Sequence, residues 1–247
     1  MKTEMLLGLL VPVVFVFFLV VERLVSARRF PPVPRWGLTG ATFFVLSLLV
    51  GGLMPELMPV QWLQQHSLWD LSGAGLAALP IALLVTTFVG YWLHRAEHKF
   101  VWLWRITHQL HHSAERVDML GAYFTHPLEV VFKVSVSTLI ASWGLGVTPM
   151  TASAVGVIVA LLSQFQHLNV NTPQWLGFIV QRPESHCVHH QRNVEGRNFS
   201  ELPLWDLLFG TFSNPKTFTG DVGLDTTGDW RLTDLLLMRF APQGQKS

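Results

Sequence analysis

One cysteine in 247 residues, Cys187, excludes an internal disulfide and leaves thiolate zinc sites without ligands. Charge is also scarce. Only 13% of the residues are Asp, Glu, Lys or Arg, against 50% hydrophobic, and the mean hydropathy is +0.37. That balance is wrong for a soluble globular domain and right for a membrane protein with a polar portion. A formal net charge of +1, with no basic tract, argues against a nucleic-acid partner. There is no internal repeat, low-complexity stretch or flexible linker, so residues 1–247 are expected to form a single membrane-embedded domain. Haem-binding segments, flavin fingerprints and iron–sulfur cysteine sets are all missing, so electrons for any redox chemistry must come from another protein.

What the chain does have is long apolar runs. Five candidate spans cover roughly residues 5–21, 37–54, 74–93, 127–143 and 151–167. Crossing the hydrocarbon takes about 20 helical residues, so the last two are short. Backbone groups in lipid must be paired internally, so the runs are expected to be helices. Arg23, Arg28, Arg29 and Arg35 follow the first run, and Arg95, Lys99, Arg105 and Arg116 follow the third. Between residues 54 and 73 the charges are Glu56 and Asp70. The positive-inside rule then puts the N-terminus outside and residues 22–36, 94–126 and 168–247 in the cytoplasm. The alternative of a cleaved signal peptide over 1–27 conflicts with a positive charge that mostly follows the apolar run.

Histidine is the second abundance. Nine of the eleven form a pattern. His94 and His98 are four residues apart in HRAEH. His108, His111 and His112 lie in HQLHH, His186, His189 and His190 in HCVHH, and His167 closes the last run. On a helix, residues three and four apart share a face, so each group is expected to aim its rings at one point. All four groups fall on the cytoplasmic side of the arginine-based topology. One metal takes four to six ligands, so nine histidines imply two metals, and imidazole suits iron, zinc, copper and nickel. His66 reads as a surface residue of an outer loop, and Cys187 as packing.

HRAEH is also an H-x-x-E-H sequence, the inverted zinc-hydrolase signature, in which Glu97 would be the general base. That reading leaves HQLHH and HCVHH idle. A metal-binding membrane scaffold without turnover is the third possibility.

HRAEH, HQLHH and HCVHH, in that order and alternating with apolar spans, resemble the three histidine boxes of the fatty-acid hydroxylase and sterol desaturase superfamily. The likeness runs from about Val89 to Gly210. It includes His126-Pro127-Leu128-Glu129, His167 followed by Asn169, Pro183, Asn198-Phe199, and the segment from Trp205 to Thr211. Ser200 stands where many relatives carry glycine, and Asn171 where some carry a tenth histidine. The resemblance implies an all-α integral membrane protein with four to five transmembrane helices and a cytoplasmic helical cap that carries the boxes. It implies two iron ions, replaceable by zinc on purification, held by His94, His98, His108, His111, His112, His167, His186, His189 and His190. The implied reaction is hydroxylation or desaturation of an unactivated C–H bond in a lipid arriving from the bilayer. A separate reductase or cytochrome would dock on the cytoplasmic face.

Around such a centre, Glu97 and Asn171 are candidates to orient a ring or hold a water. Whether His126 ligates is open; before Pro127 at a helix start, it reads as a group supporting the ligands or as structural. Ring N–H groups need acceptors, and Glu97, Glu115, Asp118, Glu129, Glu184, Glu195, Asn198 and Asp206 are the groups expected to supply them. Phe100, Trp102 and Trp104 are candidate walls. The stretch 230–240, WRLTDLLLMRF, reads as either an interfacial helix or part of the cap. Short loops and the lack of a retention-type C-terminus point to a bacterial inner membrane.

Overall fold

The computed structural model describes residues 3–194, 196–224 and 232–239. The regular elements among those residues are all helices, and the only strand-like pairing among them is an isolated antiparallel bridge between Gln191 and Val222. Four helices among the described residues are long and apolar enough to cross a membrane. They are α1 (Thr3–Val25), α2 (Trp36–Leu57), α3 (Leu79–Lys99, which a short 3-10 segment extends back to Ser72) and, later in the chain, Pro149–His167. Between α3 and the last of these come two interrupted helices. α4 (101–112) has a π turn at Trp104–His108, and α5 (Pro127–Leu139) passes into a π turn at Ile140–Gly144. Pro149–His167 is α6. Proline at the first turn of α5 and α6 sets the helical φ where no N–H partner exists.

A helix does cover the fifth expected span, 127–143, but it is not among the helices long and apolar enough to cross a membrane. Its sequence explains why: Glu129 and Lys133 put charge on it, and the π turn ends its regular ladder early. It still runs from one end of the bundle to the other. At the end away from the histidines, Leu68 N–H donates to the Trp143 carbonyl at 2.7 Å and Leu71 N–H to Leu145 at 3.0 Å. The turn there needs Gly146: its φ is +55°, and a Cβ would stand 2.5 Å from the Trp69 carbonyl oxygen.

At the histidine end, Glu22 of α1 is buried and accepts from the Met119 and Asn169 N–H groups at 2.8 and 3.0 Å. One carboxylate thus ties the first span to the segments beyond the second box and beyond His167. Trp36 Nε1 donates to Asp118, and Gly40 lets α2 approach Leu120, whose Cβ would be 2.7 Å from any added Cβ. Small residues allow such close approach where apolar packing offers no net gain over lipid.

The cap is completed by α7 (Pro183–His189), α8 (Pro203–Leu208) and α9 (Leu232–Leu236). Leu235 is buried with Trp104 and Leu110, and the Met238 and Arg239 carbonyls accept from Arg105 and Gln109. Residues 232–239 therefore pack on the second box; Trp230, Arg231 and Phe240 lie outside the described residues.

Candidate metal centre

Each box sits where a helix ends or changes register. His94 and His98 occupy the last two turns of α3. His108 closes the π turn of α4, where Gln109 N–H reaches the Trp104 carbonyl five residues back, and His111 and His112 follow. α7 and its C-cap provide His186, His189 and His190, and α6 ends on His167. A π turn inserted into an α-helix is a feature that gathers at functional sites.

The nine rings resolve into two sets whose nitrogens converge. One holds His94, His98, His108, His112 and His189, the other His111, His167, His186 and His190. In the first, Nε2 of His108 lies 2.9 Å from that of His94 and 3.1 Å from that of His112, which is 3.0 Å from that of His189. In the second, Nε2 of His167 lies 3.2 Å from that of His111 and 3.1 Å from that of His186, which is 3.0 Å from that of His190. Nitrogens bound about 2.0–2.1 Å from one cation stand roughly 2.9–3.4 Å apart, depending on geometry. The observed spacings fall in that range.

The expectation that each box aims at one point is corrected here. Pairs four apart stay together: 94 with 98, 108 with 112, 186 with 190. The third member of the second and third boxes, His111 and His189, crosses to the other set. Three residues turn a helix short of a full circle and four turn it past one, so the two positions diverge enough to face neighbouring points. The sets share a wall, with His112 and His190 stacked at a centroid distance of 4.2 Å.

Behind the nitrogens, backbone carbonyls fix the tautomers. Nδ1 of His94 donates to Phe199 O at 2.7 Å, His167 to Ser163 O at 2.8 Å, and His189 to Arg197 O at 2.9 Å. His108 Nδ1 donates to the Glu129 carboxylate at 2.9 Å. A ring that donates from Nδ1 presents an unprotonated Nε2, the form a metal takes. Lone pairs facing one another at 3 Å inside a buried cluster repel unless a cation stands between them. Burial first, then nearby positive charge, holds the rings of His108, His112, His186, His189 and His190 well below the ordinary histidine range and pushes His111 down to about 3.

Of the anticipated acceptors, only Glu129 and Glu97 approach a ring. Glu97 is fully buried, with Oε2 3.8 Å from His108 Nδ1 and 3.5 Å from Lys133 Nζ. Lys133 Nζ is 2.5 Å from Glu129, which also accepts from Thr125. Lys133 was not anticipated; its signal was a lone cation four residues after Glu129 in an apolar run. The main acceptors, the Phe199, Ser163 and Arg197 carbonyls, leave no mark in side-chain identity.

The other candidates brace the cap. Asp206 accepts from the Phe199 and Ser200 N–H groups, Asn198 bridges Ser185 and Ser213, and Glu184 binds Thr172 and Arg182. Asp118 accepts from Trp36 and Arg116, Glu115 pairs with Arg192, and Glu195 lies outside the described residues. Asn171 is exposed, beyond the C-terminus of α6, and is not brought to the rings. His126 caps α5, its Nδ1 accepting from Leu128 N–H, and His66 is exposed at the far end. Trp104 is fully buried, 5.1 and 5.2 Å from the His98 and His112 ring centres, whereas Phe100 and Trp102 are exposed. Cys187 is buried among Val117 and Val222, which pushes its thiol up to about 12.

The profile of the fatty acid hydroxylase family matches residues 79–211. The chain is 32% identical over 171 residues to ornithine lipid hydroxylase OlsE of Rhizobium tropici, covering 67% of this chain and 51% of that protein. It is 33% identical over 146 residues to the alkylglycerol monooxygenase of Homo sapiens, 56% of this chain and 32% of that one. It is 27% identical over 136 residues to sphinganine C4-monooxygenase 2 of Arabidopsis thaliana, 53% of this chain and 52% of that one. No solved structure matches significantly. The chain thus spans about half the length, or less, of these relatives.

Proposed function

Because the chain belongs to the fatty acid hydroxylase family, we propose that it is a membrane oxygenase that hydroxylates a lipid at an unactivated C–H bond, using dioxygen and two irons. The observation that carries this reading is the pair of converging Nε2 sets, each backed by Nδ1–H donors to fixed acceptors. His94, His98, His108, His112 and His189 would hold one iron, and His111, His167, His186 and His190 the other. Bound there, the metals would supply the dioxygen activation and hydrogen abstraction that side chains cannot.

The chain's own residues do the rest. The Phe199, Ser163 and Arg197 carbonyls and Glu129 orient the rings. Lys133 balances Glu97 and Glu129, which keeps anionic charge from gathering beside His108. Trp104 closes the first set on its inner side and excludes water. All nine ligands being neutral, the centre keeps the charge of its metals. Hydroxylation is preferred to desaturation because the three relatives described above are named a hydroxylase and two monooxygenases. Electrons come from a separate donor. The arginine distribution puts the histidine end in the cytoplasm, and a bacterial inner membrane suits the short loops.

A zinc hydrolase built on HRAEH fits less well. His94 and His98 share their set with three further rings, and Glu97 faces Lys133 rather than the converging nitrogens. The test is metal content with Mössbauer spectroscopy after purification in mild detergent from iron-supplemented cells. Two irons per chain with a coupled diferric signal are expected. One zinc, lost with His94→Ala but retained with His111→Ala, would overturn the reading.

A further inference from the structure

Outside both ring sets, a cavity of about 430 Å³ opens at the histidine end, between the loop that follows α1 and the segment that follows α7. Its size lies within the roughly 300–1,000 Å³ typical of small-ligand sites. Three arginines line it, Arg28, Arg29 and Arg192, against two carboxylates, Glu115 and Asp221; Phe30 and Phe218 add an apolar wall. Two of the guanidinium groups are held in place. Arg28 Nη1 and the Arg28 N–H both donate to Asn169 Oδ1, at 3.1 and 3.0 Å. Arg192 Nη2 donates to Glu115 at 3.1 Å.

What remains is unmatched. Arg28 Nη2 and Arg192 Nε are buried and have no acceptor among the described residues. A buried charged donor without an acceptor is costly, and native structures leave few of them. Both residues, on separate elements, line this one cavity, and a guanidinium with an unmatched N–H is the donor that an oxyanion accepts from. The location narrows the source: Arg28 is three residues past Val25, the end of the first span, where lipid headgroups meet the protein.

We propose that this cavity binds a phosphate group, supplied by the phosphodiester of an anionic phospholipid. The phosphate would accept from Arg28 and Arg192, with Arg29 at the rim, while Phe30 and Phe218 take the glycerol and first methylenes. The back wall begins at the third box. Arg192 N–H donates to Asp221 O at 2.9 Å, and Gly223 N–H to His190 O at 3.1 Å. An occupant would therefore steady the turn that leaves His190.

The experiment is thermal unfolding of the purified full chain in detergent with three probes: dihexanoyl phosphatidylglycerol, dihexanoylglycerol and inorganic phosphate. The phospholipid should raise Tm saturably and the phosphate-free lipid should not. Arg28→Gln and Arg192→Gln should each raise the half-saturating concentration at least tenfold. Arg35→Gln, the same charge change at an exposed position of the same loop, should leave it within twofold. Equal stabilisation by both lipids, or an equal loss in Arg35→Gln, would overturn the phosphate site. Inorganic phosphate as potent as the phospholipid would overturn the lipid source and assign the site to soluble phosphates. If the arginine variants fail to fold, the two lipids on the wild-type chain decide the question alone. The readout needs neither iron nor turnover, so its failure and that of the oxygenase reading are separable.

Discussion

Glu129 connects a ring of the first histidine set to Lys133 of α5, accepting from His108 Nδ1–H on one side and from Lys133 on the other. Acceptors behind metal-binding histidines typically contribute about 10–100-fold in metal affinity. Glu129→Gln should weaken iron retention against a chelator by that order while the remaining set keeps its metal. Lys133→Met leaves two buried carboxylates facing each other, and combining it with Glu129→Gln should recover much of the lost stability. A double-mutant cycle on Tm measures that coupling; strict additivity would contradict it. The rings carry a pH dependence of known sign. His111 takes up its proton near pH 3 in the folded metal-free protein, but near 6.5 when unfolded. The unfolded chain therefore binds more protons in between. Stability is full above pH 6.5 and falls on acidification, by about 1.4 kcal/mol per pH unit for each such ring. Chelator-treated protein should lose Tm steadily from pH 7 to 5, and iron-loaded protein should resist until the metal leaves; a flat profile in the metal-free protein would contradict the burial of neutral rings.

At the level of elements, the two π turns and the helix ends decide where rings point. Apolar runs and box spacing made the helices legible in the sequence, and positions four apart correctly announced shared faces. That His111 and His189 would each find a second set to join was not legible, because the rings completing that set stand on neighbouring helices. Nor were the Phe199, Ser163 and Arg197 carbonyls, since any residue type offers one. Glu22 shows an element-level tie that composition alone reads as an oddity in an apolar run. Glu22→Ala removes the acceptor of two buried N–H groups, each of which costs about 1–3 kcal/mol when left unsatisfied. A clear fall in Tm is expected, with looser metal binding in the second set, which His167 joins close to Asn169. Unchanged metal retention would confine Glu22 to the fold.

For the whole molecule, the five segments run alternately, with loops 26–35, 100–126 and 168–194 gathered at one end and 58–71 with 145–148 at the other. That arrangement matches the one arginine counts imply, although hydrogen bonds owe nothing to charge. Its orientation in the cell is testable with single cysteines, because Cys187 is buried and its thiol unreactive. In intact cells with the outer barrier opened, His66→Cys should react with a membrane-impermeant maleimide. Lys216→Cys should react only after lysis. The reverse pattern would place the histidines outside.

The crossing of His111 and His189 also bears on descent and on engineering. A centre assembled by duplicating a one-metal unit would keep each box loyal to its own site. Here the second and third boxes each contribute to both ring sets, so under the proposed reading neither is a portable module. Grafting HQLHH or HCVHH onto another bundle would transplant fragments of two half-sites, and erasing one site by deleting a box would strip ligands from its neighbour. The two sites can only be inherited together.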